Sequence, residues 1–309
     1  MNQPAEPAKK TRSSWASRNF WWFVALTYLI TWAIWVPLEI LAVQRGYILP
    51  NPQTLIELFK TGFQDSLHLA LSILMVFIAG PLLAAIIVIA FQSGKPGLAD
   101  LWRRSVLWRI GSRWYLVILA ILLVIYLPVA IVGLVRGPLP TAGQLFAPLV
   151  WVVPWFLMTL IGSGLEEPGW RGYALPTLQK SISAKKASLL IGVVWGIWHW
   201  PVFIPLFTSI LNSEGGSLPA ALITSLIQLV LYVFGAILGE VFIYTWLYNR
   251  TGSVWICILF HTLHNMLATY IGIILPGAVA ILPMLGGVMQ WIVAIVLLQK
   301  FWVEPASRS

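Results

Sequence analysis

The stretch WYLVILAILLVIYLPVAIVGL, at residues 114–134, contains no Asp, Glu, Lys, Arg or His. A helix needs about 20 mostly apolar residues to cross a bilayer, and this stretch meets that requirement. Apolar residues make up 59% of the 309 residues and charged residues 9%, with a mean hydropathy of +0.86. Soluble domains carry about 25% charged residues, so this chain has too few charges to cover a water-facing surface. The sequence therefore predicts an all-α polytopic membrane protein that is embedded in the lipid bilayer.

Further apolar runs of similar length occur along the chain, which gives about eight transmembrane helices. Gly80 and Pro81 predict a kink inside the second run, and the sixth run is long enough to need a tilt or a kink. The flanking segments are predicted to be a disordered basic cytosolic tail (1–18) and a cytosolic tail (301–309). Between them lies one transmembrane domain (19–300) with a motif core at 162–265. The predicted spans are 20–43, 66–91, 114–134, 144–162, 187–207, 219–247, 254–275 and 278–298.

The positive charges predict the orientation of these spans. If the N-terminus is cytosolic, the segments on the cytosolic side contain 16 of the 19 Lys and Arg residues. This bias follows the positive-inside rule and predicts that both termini are cytosolic. The formal charge of +9 is scattered between apolar runs, so it indicates topology and no nucleic-acid partner. A single cysteine, Cys257, excludes an intrachain disulfide and a cysteine-based metal cluster.

A few ionisable residues fall inside the predicted spans, where a charge costs about 2.5–3.5 kcal/mol on insertion scales. If the helix continues past Pro168, Glu167 and Arg171 lie four residues apart on one face and can pair. Glu166 then points about 100° away, towards a possible cavity. The alternative is that both carboxylates are solvated at a helix end. The intramembrane candidates are Glu166, Glu167, Arg171, His199, Glu240, His261 and His264.

Histidines occur at intermediate depth in two other predicted spans. By helical rise, His199 lies roughly 18 Å from the cytosolic end, and the His261–Asn265 stretch roughly 10–17 Å. His261 and Asn265 share one helical face, which His264 partly shares, so this stripe predicts a polar cavity inside the bundle. For His199 the alternative is a hydrogen-bonded packing residue. Glu240 is expected to contact a polar neighbour, with pairing to a histidine or lining of a substrate groove as alternatives.

These stretches together resemble the CAAX-protease and bacteriocin-processing family of intramembrane proteases, also called the Rce1-like or Abi family. The first family motif, Glu-Glu-x-x-x-Arg, is matched by Glu166, Glu167 and Arg171. The second, an aromatic residue four positions before a histidine, is matched by Trp195 and His199. The third, His-x-x-x-Asn, is matched by His261 and Asn265. The family usually has Phe where this chain has Trp195, and we expect this change to alter packing rather than chemistry.

The resemblance implies a CAAX prenyl protease-like intramembrane peptidase with catalytic residues Glu166, His199, His261 and Asn265. Glu166 is implied as the general base that activates a water, and His199 as the residue that orients this water or shares its proton. His261 and Asn265 are implied as the oxyanion hole. Glu167 and Arg171 are expected to hold helix ends together. The implied partners are the bilayer and a membrane-associated peptide or protein substrate. Prenylated CAAX ends are a eukaryotic target and are not carried over.

The stretch EEPGWRGYALP, at residues 166–176, is similar to bacterial members of the family, which implies a bacterial cell membrane. The resemblance implies that no cofactor is needed. From the residues alone, Glu166, His199 and His261 could instead form a zinc site with an open fourth position. A transporter is a competing function, since broken helices and buried charges also mark solute pathways. A non-catalytic immunity or scaffold protein that keeps the same polar cavity is another.

Overall fold

The computed structural model describes residues 15–50, 58 and 61–304, and within these ranges the chain forms helices and no strand. Residues 1–14 of the predicted tail lie outside the described residues, while 15–18 belong to the first helix. We number ten helices: α1 Trp15–Arg45, α2 Ser66–Phe77, α3 Gly80–Ser105, α4 Ser112–Arg136, α5 Ala142–Gln179, α6 Ala184–Trp198, α7 Trp200–Leu211, α8 Leu218–Thr251, α9 Val254–Ile274 and α10 Leu282–Phe301.

Seven of these helices are long and apolar enough to cross a membrane: α1, α3, α4, α5, α8, α9 and α10. The pair α6 and α7, bent by 46°, counts as an eighth span if the two helices cross together. Large apolar side chains point away from the bundle, among them Phe91 with 89% of its surface exposed and Val135 with 81%. Such a surface suits lipid rather than water. The predicted all-α, polytopic fold is confirmed, while the cytosolic position of the termini stays a prediction.

The second predicted span, 66–91, is divided into two helices at the predicted Gly80–Pro81 kink, and its second helix extends beyond residue 91. Helix α2 ends at Phe77, α3 begins at Gly80, and α3 continues to Ser105 past a non-helical residue, Gly94. The break lies at the predicted Gly80–Pro81 site because proline has no backbone N–H to continue a helix. Gly80 also lies against α1, since a Cβ there would be 1.9 Å from Oγ1 of Thr31.

Three other boundaries differ from the predicted ones. Helix α5 does not end at residue 162 but continues to Gln179 through a 3-10 turn at Gly164–Glu166 and a π-helical turn at Trp170–Ala174. The predicted fifth span is divided after Trp198, next to Pro201. The predicted last span starts too early, because a 3-10 turn, Pro276–Ala278, precedes α10. The longer α5 places the Glu-Glu motif inside the helical bundle instead of at a helix end.

Candidate active site

The predicted catalytic residues meet at one cavity of about 480 Å³ in the middle of the bundle. Its walls come from α1, α2 and all helices from α4 to α10. Glu166, His199, His261 and Asn265 line it, together with Trp195. Glu167 and Arg171 lie behind this lining, with 0% and 1% of their surface exposed. The structure thus brings together residues that are up to about one hundred positions apart in the sequence.

Glu166 is held by a hydrogen bond from the indole of Trp195. Nε1 of Trp195 donates to Oε2 of Glu166 at 2.8 Å, and the glutamate is 6% exposed. A phenylalanine at position 195 has no N–H and cannot make this bond. The expectation that Trp195 alters packing rather than chemistry stays a prediction, but Trp195 also contributes a hydrogen bond to the carboxylate predicted as the base. The bond fixes one carboxylate oxygen and orients the whole group.

His199 follows the last residue of α6, and its ring is anchored to the turn before it. Nδ1 lies 2.8 Å from the backbone carbonyl of Trp195. A carbonyl only accepts hydrogen bonds, so Nδ1 carries the hydrogen. In the neutral imidazole, Nε2 then holds a lone pair that can accept a proton or a hydrogen bond. Nε2 of His199 can therefore accept a hydrogen bond from a group in the cavity.

Glu167 joins two helices through two partners. Nδ1 of His261 on α9 lies 3.0 Å from Oε1 of Glu167, and Nη1 of Arg171 lies 3.0 Å from Oε1 and 2.9 Å from Oε2. The guanidinium of Arg171 also stacks over the rings of Trp195, at 4.8 Å, and Tyr244, at 4.0 Å. Glu167 therefore orients the ring of His261 besides pairing with Arg171, in the way that a carboxylate orients a functional histidine from behind.

Asn265 extends the His261 face by one helical turn. Its Nδ2 donates to Oγ of Ser163 on α5 at 2.9 Å. This bond uses one of the two amide hydrogens and leaves the second available. Ser163 was not predicted as a site residue, because serines are common in apolar helices and its spacing matches no motif.

A second polar group lines the same cavity. Glu240 accepts a hydrogen bond from the hydroxyl of Tyr244 at 2.8 Å, so the expected contact with a polar neighbour is present. Nε2 of His264 lies 3.8 Å from Oε1 of Glu240 and 3.2 Å from the amide nitrogen of Gln290. Tyr126 approaches the same ring, with its hydroxyl 3.2 Å from Nδ1. Tyr126 and Gln290 were missed, although a glutamine in an apolar span was a usable signal.

The hydrogen bonds of the histidine nitrogens limit which atoms are free to bind a metal ion. Nδ1 of His199 and Nδ1 of His261 are both taken by protein acceptors, which leaves their Nε2 atoms and Glu166 as possible ligands. In the part of the chain that the structure describes, no group of three or more His, Cys, Asp or Glu side chains is arranged to hold a metal ion. The zinc alternative stays a prediction, to be tested by chelation.

The fold and this cavity define the class, a polytopic helical membrane protein with buried acid, histidine and amide side chains around one cavity. Residues 148–267 match the family model described as type II CAAX prenyl endopeptidase Rce1-like. The CAAX prenyl protease 2 of Methanococcus maripaludis is 35% identical over 116 residues, which are 37% of this chain and 39% of the relative. The resemblance to the Rce1-like family is confirmed for this segment. The aligned part spans about two fifths of the relative, so the relative's activity is not transferred with it.

Replacing Arg171 should destabilise the protein strongly. Arg171→Gln removes the guanidinium that pairs with the buried Glu167, and breaking a buried pair in this way typically costs about 3–5 kcal/mol. For a chain of this size we expect the melting temperature in detergent to fall by on the order of 10 °C. Differential scanning fluorimetry of the purified protein measures the shift.

The matched control is Arg103→Gln, which removes the exposed Arg103–Asp100 pair at 2.6 Å. Exposed ion pairs contribute about 0–1 kcal/mol, so the control should change the melting temperature by less than about 4 °C. Equal falls in melting temperature for the two variants would show that the buried Glu167–Arg171 pair stabilises the protein no more than the exposed Arg103–Asp100 pair does.

Proposed function

We propose that this chain is an intramembrane endopeptidase that hydrolyses a peptide bond of a membrane-associated peptide or protein. The observation that carries the proposal is the shared cavity. Glu166, His199, His261 and Asn265 come from separate parts of the helical bundle and all line it. Each of the two histidines is held through Nδ1, which leaves Nε2 for a substrate or a water. The Rce1-like segment contains all four residues.

The proposed reaction begins at Glu166. Its carboxylate removes a proton from a water, whose oxygen attacks the carbonyl carbon of the scissile bond. Nε2 of His199 accepts a hydrogen bond from the same water and keeps it in line. The Trp195 indole fixes the carboxylate oxygen that does not face the water.

The negative charge that develops on the carbonyl oxygen needs donors. We propose that His261, as an imidazolium balanced by Glu167, donates from Nε2, and that Asn265 donates its second amide hydrogen. Preorganised donors of this kind contribute about 3 kcal/mol each to the transition state. Glu166 then returns the proton to the leaving nitrogen, which gives a new carboxyl group and a new amine.

Glu166→Gln should abolish proteolysis. Glutamine keeps the size of the side chain and an oxygen for Trp195 but cannot take a proton, so we expect a loss of about 10²–10⁴-fold in kcat. The assay uses membrane fractions of cells that express either the unchanged protein or Glu166→Gln. Mass spectrometry compares the peptides and the newly formed C-termini in the two samples. Peptides that accumulate only with Glu166→Gln identify the substrates.

Glu214→Gln is the matched control, because Glu214 lies exposed in the turn before α8. It should behave as the unchanged protein. If Glu166→Gln retained full activity at an unchanged melting temperature, the site assignment would be wrong, and a transporter or a scaffold would become the better interpretation.

Trp195→Phe should slow the reaction while leaving the fold intact. The lost bond to a carboxylate corresponds to about 1.5–3 kcal/mol, which predicts a kcat lower by about 10- to 100-fold. Cleavage of a substrate found in the previous comparison, by purified protein in liposomes, measures this rate.

Trp198→Phe provides a close control, since Nε1 of Trp198 donates at 2.9 Å to Oγ1 of Thr31 and not to the site. Both variants lose one buried indole hydrogen bond and should lose similar stability. An equal fall in kcat for both would show that Trp195 acts only through packing.

The proposed mechanism needs no metal, since Glu166 supplies the base and His261 and Asn265 supply the donors. Treatment of the purified protein with 1,10-phenanthroline should therefore leave kcat unchanged. Removal of a catalytic zinc would instead abolish activity, and added zinc would restore it. That result would favour Glu166, His199 and His261 as metal ligands.

A further inference from the structure

Glu240 is a buried carboxylate that the proposed hydrolysis does not use. It is 5% exposed and lines the same cavity as Glu166. Among the described residues, its one basic side chain within ion-pair distance is His264, at 3.8 Å. Glu167, by contrast, has Arg171 at 2.9 Å. The two glutamates therefore differ in how the protein balances their charge.

His264 lies within ion-pair distance of Glu240 but is not hydrogen-bonded to it. Its Nε2 lies 3.8 Å from Oε1 of Glu240 and 3.2 Å from the amide nitrogen of Gln290, and its Nδ1 lies 3.2 Å from the hydroxyl of Tyr126. The other basic side chains whose charge acts on Glu240, His261 and Arg171, are hydrogen-bonded to Glu167, so among the described residues no cation is in contact with Glu240 and a cationic ligand is favourable there.

Gln290 supplies a second acceptor at the same place. It is 4% exposed and lines the cavity, and its Oε1 has no hydrogen-bond partner among the described residues. A buried acceptor without a partner carries a desolvation cost that a ligand with N–H groups removes. Glu240 and Gln290 thus both present oxygen acceptors to the cavity.

The cavity also leaves space for a ligand beside these oxygens. Gly286 precedes Gln290 by one helical turn and lines the cavity on the same face of α10. A Cβ on Gly286 would meet no atom within 4 Å. The cavity wall at Gly286, one helical turn from Gln290, therefore has room for part of a ligand.

We propose that Glu240 and Gln290 form a subsite that binds a basic side chain, lysine or arginine, of the substrate. The ammonium or guanidinium group pairs with Glu240 and donates to Oε1 of Gln290, while its aliphatic part lies along the wall at Gly286. This proposal rests on the proposed peptidase function, which it extends to a preference for basic residues in the cleaved segment.

Binding is tested without catalysis, in the Glu166→Gln protein, with n-hexylammonium as the probe and n-hexanol as its uncharged counterpart. We expect hexylammonium to raise the melting temperature of the Glu166→Gln protein more than hexanol does. The added substitution Glu240→Gln should weaken hexylammonium binding by about 100-fold, because it removes the charge partner. The added substitution Glu214→Gln should leave binding unchanged.

Gly286→Met, also in the Glu166→Gln background, is a second test that keeps the charge and fills the space. It should block hexylammonium while leaving the melting temperature of the unliganded protein nearly unchanged. Hexylammonium binding that is equal in the Glu240→Gln and Gly286→Met variants and in their parent would overturn the subsite.

Cleavage sites distinguish the two proposals. Sites cut by the otherwise unchanged protein should be enriched in Lys and Arg, and this enrichment should disappear with Glu240→Gln. Proteolysis without such enrichment, and without Glu240-dependent binding, would refute the subsite and leave the peptidase function in place. Glu240-dependent binding of hexylammonium without any proteolysis would refute the peptidase function and support a cation-binding site.

Discussion

The contact of Glu167 with both Arg171 and His261 is the interaction on which the site depends. A carboxylate with 0% exposure inside a lipid-embedded bundle needs a partner, and Arg171, one helical turn away, supplies it. The second partner, His261, belongs to α9, so the same carboxylate also fixes α5 against α9. The position of α5 against α9 and the orientation of the His261 ring therefore both depend on Glu167, and a change at Glu167 should alter both.

Trp195 connects this structural pair to the predicted base. Its ring lies under the guanidinium of Arg171, and its Nε1 donates to Glu166. The backbone carbonyl of the same residue holds Nδ1 of His199. One residue on α6 therefore contacts three side chains of the candidate site by three different interactions. A substitution that looks conservative in the sequence, from the usual Phe to Trp, adds a donor at the centre of the site.

The helices and the motif residues could be predicted from the sequence. A membrane span requires a long apolar run, and a charged residue inside such a run is easy to recognise. The pairing of Glu167 with Arg171 followed from their spacing. The break between α2 and α3 lies at the predicted Gly80–Pro81 kink, but the length of α5 did not follow from the sequence, because close backbone contacts decide it. A Cβ on Gly169 of α5 would lie 2.4 Å from the carbonyl oxygen of Pro81. The close approach of α5 to α3 at Gly169 and Pro81, like the contact of Asn265 with Ser163, depends on tertiary packing that cannot be predicted from the spacing of apolar residues.

The charge balance of the bundle separates three carboxylates by role. Glu167 is compensated by an arginine within the protein and lies behind the cavity wall. Glu166 and Glu240 line the cavity, and each has a neutral donor, Trp195 or Tyr244, where Glu167 has a cation. A neutral donor orients a carboxylate without cancelling its charge, which leaves that charge available to a ligand. Glu167 is thus part of the packed structure, while Glu166 and Glu240 face the cavity, where the proposed hydrolysis and the proposed subsite need them.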